Sequence, residues 1–265
     1  MADRVHHRIY LDFILPSRLD DYARVIERAA ALKYAFHTVG SFHAAQRDGT
    51  LEPNVLILRC DVDTAPATAK AKFDIVEKAG GRASFFFRLS TLDVDLMRRM
   101  EASGSEASYH FEEIATVAKQ LGLRTRLEVE QQLPFIEQRF CENLLSVRAR
   151  TGLAIEVLAS HGDWINRRLG IANRRVLTPA VRRRLGIVVE AYDREAVAGV
   201  TSRLVDASYP SLWSPESPST ALERGDPVVS VLTHPRQWGR NIKVHLIDDV
   251  RRFGEELQYR ARTLT

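Results

Sequence analysis

Short apolar runs rich in β-branched or aromatic residues alternate along this chain with longer stretches of helical spacing, the pattern of a parallel sheet whose strands are joined by helices. The runs fall at 55–58, 83–87, 107–109, 155–158, 187–190, 203–205 and 228–232. Seven such runs predict an α/β fold, a distorted (β/α)7 barrel rather than a two-layer arrangement. The stretches between them carry helix signals. Thr91 or Asp93 can cap a helix ending near Gly104, and a helix over 112–121 stops at Gly122. Val129, Leu133, Ile136, Phe140, Leu144 and Val147 share one stripe and predict a single long helix with Pro134 near its start.

The last helix sets Leu246, Val250, Phe253 and Leu257 on one face and Arg251, Arg252 and Arg262 elsewhere, so that apolar face is expected against the barrel wall. Ahead of the first barrel strand the pattern holds one amphipathic helix over 19–34. Residues 1–50 therefore read as an N-terminal helical extension and 51–265 as the barrel. The Ser/Pro-rich stretch 210–218 reads as a loop.

Composition narrows the class without changing this picture. A chain of 265 residues suits one decorated domain, and 45% hydrophobic with 27% charged residues excludes a disordered or fibrous protein. The net charge of +4 would suit an anionic partner, but basic residues run from Arg4 to Arg262, which reads as a solvated basic surface with room for an anionic substrate. No aromatic-plus-basic run marks a nucleic-acid partner. Two cysteines, Cys60 and Cys141, are too few for a disulfide framework and lack metal-knuckle spacing. The first residues show no apolar stretch with a cleavage site, and no segment reaches the ~18 apolar residues of a membrane helix. The expectation is a cytoplasmic protein with no membrane partner.

The candidate chemistry gathers where strands end, the rim at which a β/α barrel builds its site. Arg59, Asp61 and Asp63 follow the first run, His110 with Glu112 and Glu113 the third, His161 the fourth, and His234 the last. In an extended segment Asp61 and Asp63 point to the same side, which lets one carboxylate bind a metal while the other handles a proton. Oxygen plus imidazole ligands suit zinc or another divalent transition metal. Each residue also has a plainer explanation. An isolated Asp-x-Asp is more often an Asx-turn or helix cap, a strand-end histidine can simply be hydrogen-bonded, and Glu112 and Glu113 complement a helix dipole.

These residues resemble a known family, the polysaccharide deacetylases of carbohydrate esterase family four, with the NodB-homology barrel. The likeness runs from about Val55 to Trp238. Residues 55–64 (VLILRCDVDT) resemble the first motif, which implies Asp61 as base and Asp63 as metal ligand. Residues 82–87 (RASFFF) resemble the Ala-Thr-Phe-Phe strand, and 104–110 (GSEASYH) resemble Gly-His-Glu-Ile-Gly-x-His, which makes His110 a metal histidine. Residues 231–235 (VLTHP) resemble the closing Leu-x-His motif, which implies His234 as general acid or as the residue that orients the acetyl product. The segment 34–39 together with the following Asp-Val-Asp strand looks like a divergent branch of the superfamily.

The chain departs from the family at three points. The second histidine, one helical turn after His110, would fall at Ile114. Cys60 stands where the related branch often has histidine. The Arg-rich third motif is replaced by 160–168 (SHGDWINRR). The resemblance then implies a divalent metal, zinc first, on Asp63, His110 and His161, with Glu112 or Glu113 as substitutes. Arg59, Trp164, Asn166, Arg167 and Trp238 are candidates for substrate contact, with Trp213 a second candidate to stack on a sugar ring. The implied activity is removal of an acyl group from the amide nitrogen of an N-acylated sugar or related small molecule. The alternative is a catalytically reduced barrel that binds such a ligand without hydrolysis.

Overall fold

The computed structural model describes residues 10–207 and 209–262, with backbone alone at 11 and 12. Among these residues nine strands form one sheet: β1 (Ala35–His37), β2 (Val55–Val62), β3 (Ser84–Phe87), β4 (Glu106–Phe111), β5 (Val157–Ser160), β6 (Val189–Glu190), β7 (Ser202–Asp206), β8 (Trp213–Ser214) and β9 (Val228–Thr233). Their order is β6-β5-β4-β3-β2-β9-β7-β8, with β1 beside the start of β2. All pairings are parallel except β7 with β8. All seven predicted runs overlap strands of this sheet, although 155–156 and 187–188 stay outside β5 and β6.

The sheet is open, not a closed barrel, because β6 and β8 end it without pairing to one another. Both edge strands are two residues long, which leaves little unpaired backbone to template further pairing. β8 arises inside the stretch read as a loop and turns antiparallel onto β7. Eleven α-helices accompany the sheet among the described residues: α1 (Leu19–Ala31), α2 (Val39–Asp48), α3 (Pro66–Lys78), α4 (Val94–Ala102), α5 (Glu113–Leu121), α6 (Arg126–Gln131), α7 (Leu133–Thr151), α8 (Trp164–Leu169), α9 (Pro179–Leu185), α10 (Pro218–Arg224) and α11 (Ile242–Arg262). None is long and apolar enough to cross a membrane. The reading of the chain start as free of an export signal falls mainly on residues 1–9, outside the described residues.

Alternation along the strands sorts side chains onto two faces. Leu56, Leu58, Cys60 and Val62 of β2, Phe85 and Phe87 of β3, and Ala107, Tyr109 and Phe111 of β4 face the main core. Val55 and Ile57, with Phe86 and Ala159, face a smaller cluster closed by Val39 and Phe42 of α2. Continued along β2, the second face is the one that carries Arg59 and Asp61. Each fully buried phenylalanine contributes roughly 1.5–3 kcal/mol of burial.

Residues before 51 join this body. Tyr22, Val25, Ile26 and Ala29 of α1 lie in the main core, and β1 pairs with β2 at Ala35–Val55. The extension was expected to hold one helix over 19–34; it supplies α1, the strand β1 and the further helix α2. The stripe from Val129 to Val147 is buried as expected, with Leu133 only partly so, yet it is carried by two helices. α6 ends at Gln131, and α7 restarts with Pro134 in its first turn, where proline's missing N–H leaves no intrahelical bond broken. Asp93 caps α4 by accepting from Leu96 N, and Gly122 ends α5 at φ +67°, a left-handed conformation that glycine adopts without strain.

The last helix reverses its expectation. Leu246, Val250, Phe253 and Leu257 are exposed at 50–72%, and the face of α11 against the body instead buries His245 and Tyr259. Tyr259 donates to Leu123 O at 2.6 Å and meets the Trp164 ring edge-on at 5.4 Å. An apolar stripe thus predicts which residues share a face, while two polar-tipped side chains with partners on the body decide which face docks.

Candidate active site

The site lies at the C-terminal ends of β2, β4, β5 and β9. Asp61 is the next-to-last residue of the fully buried β2, and its carboxylate is held by both arms of Arg59, with Nε–Oδ1 and Nη2–Oδ2 distances of 2.7 Å. The two side chains share a face because they are two residues apart on one strand. The Arg59 guanidinium lies 4.3 Å from the centroid of Tyr192, a residue just past β6. Burial would raise the Asp61 pKa, but Arg59, His110 and His234 reverse this and hold it below the usual carboxylate range.

Asp63 sits just beyond β2, ahead of Ala65, a buried non-glycine residue at φ +54°. That conformation costs on the order of 1–3 kcal/mol and turns the chain sharply into α3. His110 comes from the face of β4 opposite Tyr109 and Phe111, and its Nδ1 lies 3.0 Å from Ala159 O. Because a carbonyl only accepts, Nδ1 carries the proton and Nε2 keeps its lone pair free. His161 follows β5 in a turn tied down by its own N–H to Phe111 O at 2.9 Å and by Asn173 donating to its carbonyl at 2.7 Å.

These three residues converge. Asp63 Oδ1 lies 3.0 Å from His161 Nδ1 and 3.3 Å from His110 Nε2, and the two ring nitrogens are 3.3 Å apart. Despite this proximity, buried Asp63 Oδ1 makes no hydrogen bond. A carboxylate oxygen and two imidazole nitrogens that converge within 3.3 Å of one another have the arrangement of ligands aimed at a shared cation. Burial opposes ionisation of Asp63, but His161 and His110 pull its pKa well below normal. One carboxylate and two histidines within reach of a common point therefore fit a divalent metal.

His234 stands on the opposite side of the site. Its Nδ1 lies 2.7 Å from Asp206 Oδ1, its backbone N–H donates to Asp206 Oδ2 at 2.6 Å, and Trp238 Nε1 donates to the same oxygen at 2.8 Å. Burial lowers the His234 pKa, but the Asp206 hydrogen bond and charge, helped by Asp63 and Asp61, raise it to about 9. Sequence reasoning missed Asp206. The available signal was a carboxylate directly after the 203–205 run, at the C-terminal end of its strand.

The other candidates separate. Glu113 faces the core, bonded to Tyr109 Oη and Asn143, so it stands away from the site; burial pushes its pKa up. Glu112 stays at the rim but is clamped by Arg88 through two bonds of 2.7–2.8 Å, and a second grouping places it near His161 and Asp163. Ile114, where a second histidine was sought, is fully buried. Arg59 is spent on Asp61. Trp238 is 1% exposed between Tyr22 and Trp213, so it presents no stacking face to a sugar, and Trp213 itself packs against it. Asn166 serves the local fold as the partner of Asp163 in the capping box of α8. Trp164 and Arg167 remain at the site, lining a cleft of about 350 Å³ with Asp63, His161 and residues of α11.

Beneath His234, Lys72 is fully buried, bonded to Thr233 Oγ1, with its ammonium 4.3 Å from the Tyr22 ring and 4.9 Å from that of Trp238. Nothing in the helical pattern of α3 marked it as buried, because a lysine on such a helix ordinarily faces water.

No protein-family model matches the chain, and no curated protein does. Among solved structures it is similar to the crystal structure of a mutant of a CE4 family pseudoenzyme with restored enzymatic activity, at 11% identity and a TM-score of 0.36, over 78% of this chain and 69% of that one.

Proposed function

We propose that this protein is a metal-dependent hydrolase that removes an acyl group from the amide nitrogen of a sugar-like substrate. The observation that carries the reading is the unbonded Asp63 Oδ1 facing His110 Nε2 and His161 Nδ1 within 3.3 Å. Those three residues would hold the cation, zinc by the chemistry of the donor set. When bound, it supplies Lewis acidity toward a carbonyl and lowers the pKa of a coordinated water.

The chain's own groups supply the proton chemistry. Asp61, ionised and fixed by Arg59, accepts the proton of the attacking water. His234, kept protonated by Asp206, donates to the departing amine nitrogen. Trp164 and Arg167 border the cleft through which substrate reaches these groups. The likeness of 55–64 and 231–235 to the deacetylase motifs supports the same roles.

A second reading has a specific observation behind it. Both oxygens of Asp61 are engaged by Arg59, which weakens it as a base, so a reduced protein that binds ligand without turnover shares this geometry. Metal quantification on the purified protein, with acetate release from N-acetylglucosamine oligomers by wild type and Asp63→Ala, tests both. Stoichiometric metal with acetate release that Asp63→Ala abolishes supports the hydrolase. Metal without release favours the reduced protein, and release that survives Asp63→Ala removes the mechanism.

A further inference from the structure

Between residues 164 and 189 the chain holds seven arginines and no aspartate or glutamate. The even spread of charge over the whole sequence hides this local concentration. Arg167, Arg168, Arg174, Arg175, Arg183 and Arg184 are all exposed. Arg182 is neutralised by Asp193, and Arg168 lies over the Tyr259 ring. Arg167, Arg175 and the neighbouring Arg194 have no ion pair among the described residues, and Arg174 reaches only the Tyr192 carbonyl, at 3.5 Å.

These side chains line a continuous path away from the reaction centre. The cleft holding Asp63 and His161 ends at Arg167. A second cleft of about 500 Å³ shares His161, Asp163 and Arg167 and extends to Arg174 and Tyr192. A third, of about 390 Å³, shares Arg174 and Tyr192 and adds Arg175 and Arg194. Three joined concavities suit an extended chain better than a single small molecule, and four guanidinium groups along them suit carboxylates, which they can bind through two parallel hydrogen bonds.

We propose that this trough binds the continuation of an acidic saccharide chain, so that the substrate is an N-acylated oligosaccharide with uronate residues next to the reacting sugar. The proposal rests on the reading of Asp63, His110 and His161 as the reaction centre. A single-stranded nucleic acid is the less suited polyanion. It binds largely by stacking bases on aromatic rings, and the trough offers one exposed aromatic, Tyr192, with one ring face already against Arg59.

The test compares three probes by titration calorimetry at 50 and 200 mM salt: a tetrasaccharide of alternating glucuronate and N-acetylglucosamine, a neutral N-acetylglucosamine tetramer, and a single-stranded RNA decamer. Wild type should bind the acidic tetrasaccharide at least tenfold more tightly than the neutral one, with an advantage that shrinks as salt rises. Arg167→Ala/Arg174→Ala/Arg175→Ala should abolish that advantage, and the single exposed change Arg175→Glu should weaken acidic binding at least threefold should the triple variant fold poorly. Equal affinity for both saccharides, indifference to these substitutions, or tighter binding of RNA overturns the proposal. Asp63→Ala separates it from the hydrolase reading. Acidic binding shared by wild type and Asp63→Ala, with a wild type that releases no acetate from either oligomer, upholds the trough and sinks the hydrolase. Acetate release from acidic and neutral oligomers with equal KM upholds the hydrolase and sinks the trough.

Discussion

His234 Nδ1 lies 2.7 Å from Asp206 Oδ1, and the same carboxylate accepts from the His234 backbone N–H at 2.6 Å. One aspartate from β7 thereby fixes both the ring orientation and the backbone of a histidine delivered by β9. The pairing of these two strands at Val205–Leu232 brings the partners together, so a link between residues 28 apart is a product of sheet order.

Asp206→Asn removes the charge that holds the His234 pKa near 9. The alkaline limb of kcat/KM should move down from about 9 toward the ordinary histidine value of ~6.5, and His234→Ala should lower kcat by roughly 10²–10⁴-fold. Because the folded pKa is raised, the pair's stabilisation is complete below ~6.5 and is lost as pH rises through about 9. Urea unfolding at pH 6 and pH 9.5 checks the sign: the wild type should lose more stability between them than Asp206→Asn.

Zinc added to metal-stripped protein should raise Tm, since a ligand that binds only the folded state stabilises it by about 2.7 kcal/mol at a hundredfold excess over Kd. Asp63→Ala and His161→Ala should each abolish the shift, whereas Glu113→Gln, altered in the core away from the three converging atoms, should retain it. Differential scanning calorimetry measures all four proteins.

Arg59→Leu leaves the Asp61 carboxylate buried without its partner, at a cost of about 3–5 kcal/mol. The Asp61 pKa should rise as the opposing charge disappears. Equilibrium denaturation gives the loss, and Arg59→Leu/Asp61→Asn should recover part of it because the orphaned charge is gone.

Phe140→Ala in α7 should cost about 3–5 kcal/mol, as expected for a fully buried ring. Phe253→Ser in α11, where the ring is 64% exposed, should change stability by no more than about 0.5 kcal/mol. Paired urea curves distinguish the buried stripe from the exposed one.

All seven apolar runs predicted as strands overlap strands, because alternation and β-branched content act locally. The two missed strands, β1 and β8, are three and two residues long and exist only through pairing with β2 and β7. The positions of Asp61, Asp63, His110, His161 and His234 at strand ends were likewise legible, since side-chain direction follows from strand period. Partner choice was not. Arg59 looked available to substrate until its fork met Asp61, and Trp238 looked like a sugar platform until Tyr22 and Trp213 enclosed it.

By itself the sequence determined where the seven longer apolar runs enter the sheet, and which candidate side chains their strands send to the C-terminal end. Only the tertiary structure decided that the sheet stays open, that α11 turns its apolar stripe outward, and that Asp206 stands behind His234. The division is physical: backbone periodicity depends on neighbours along the chain, whereas an ion pair or a docked face depends on which distant groups can be satisfied together once water has been excluded.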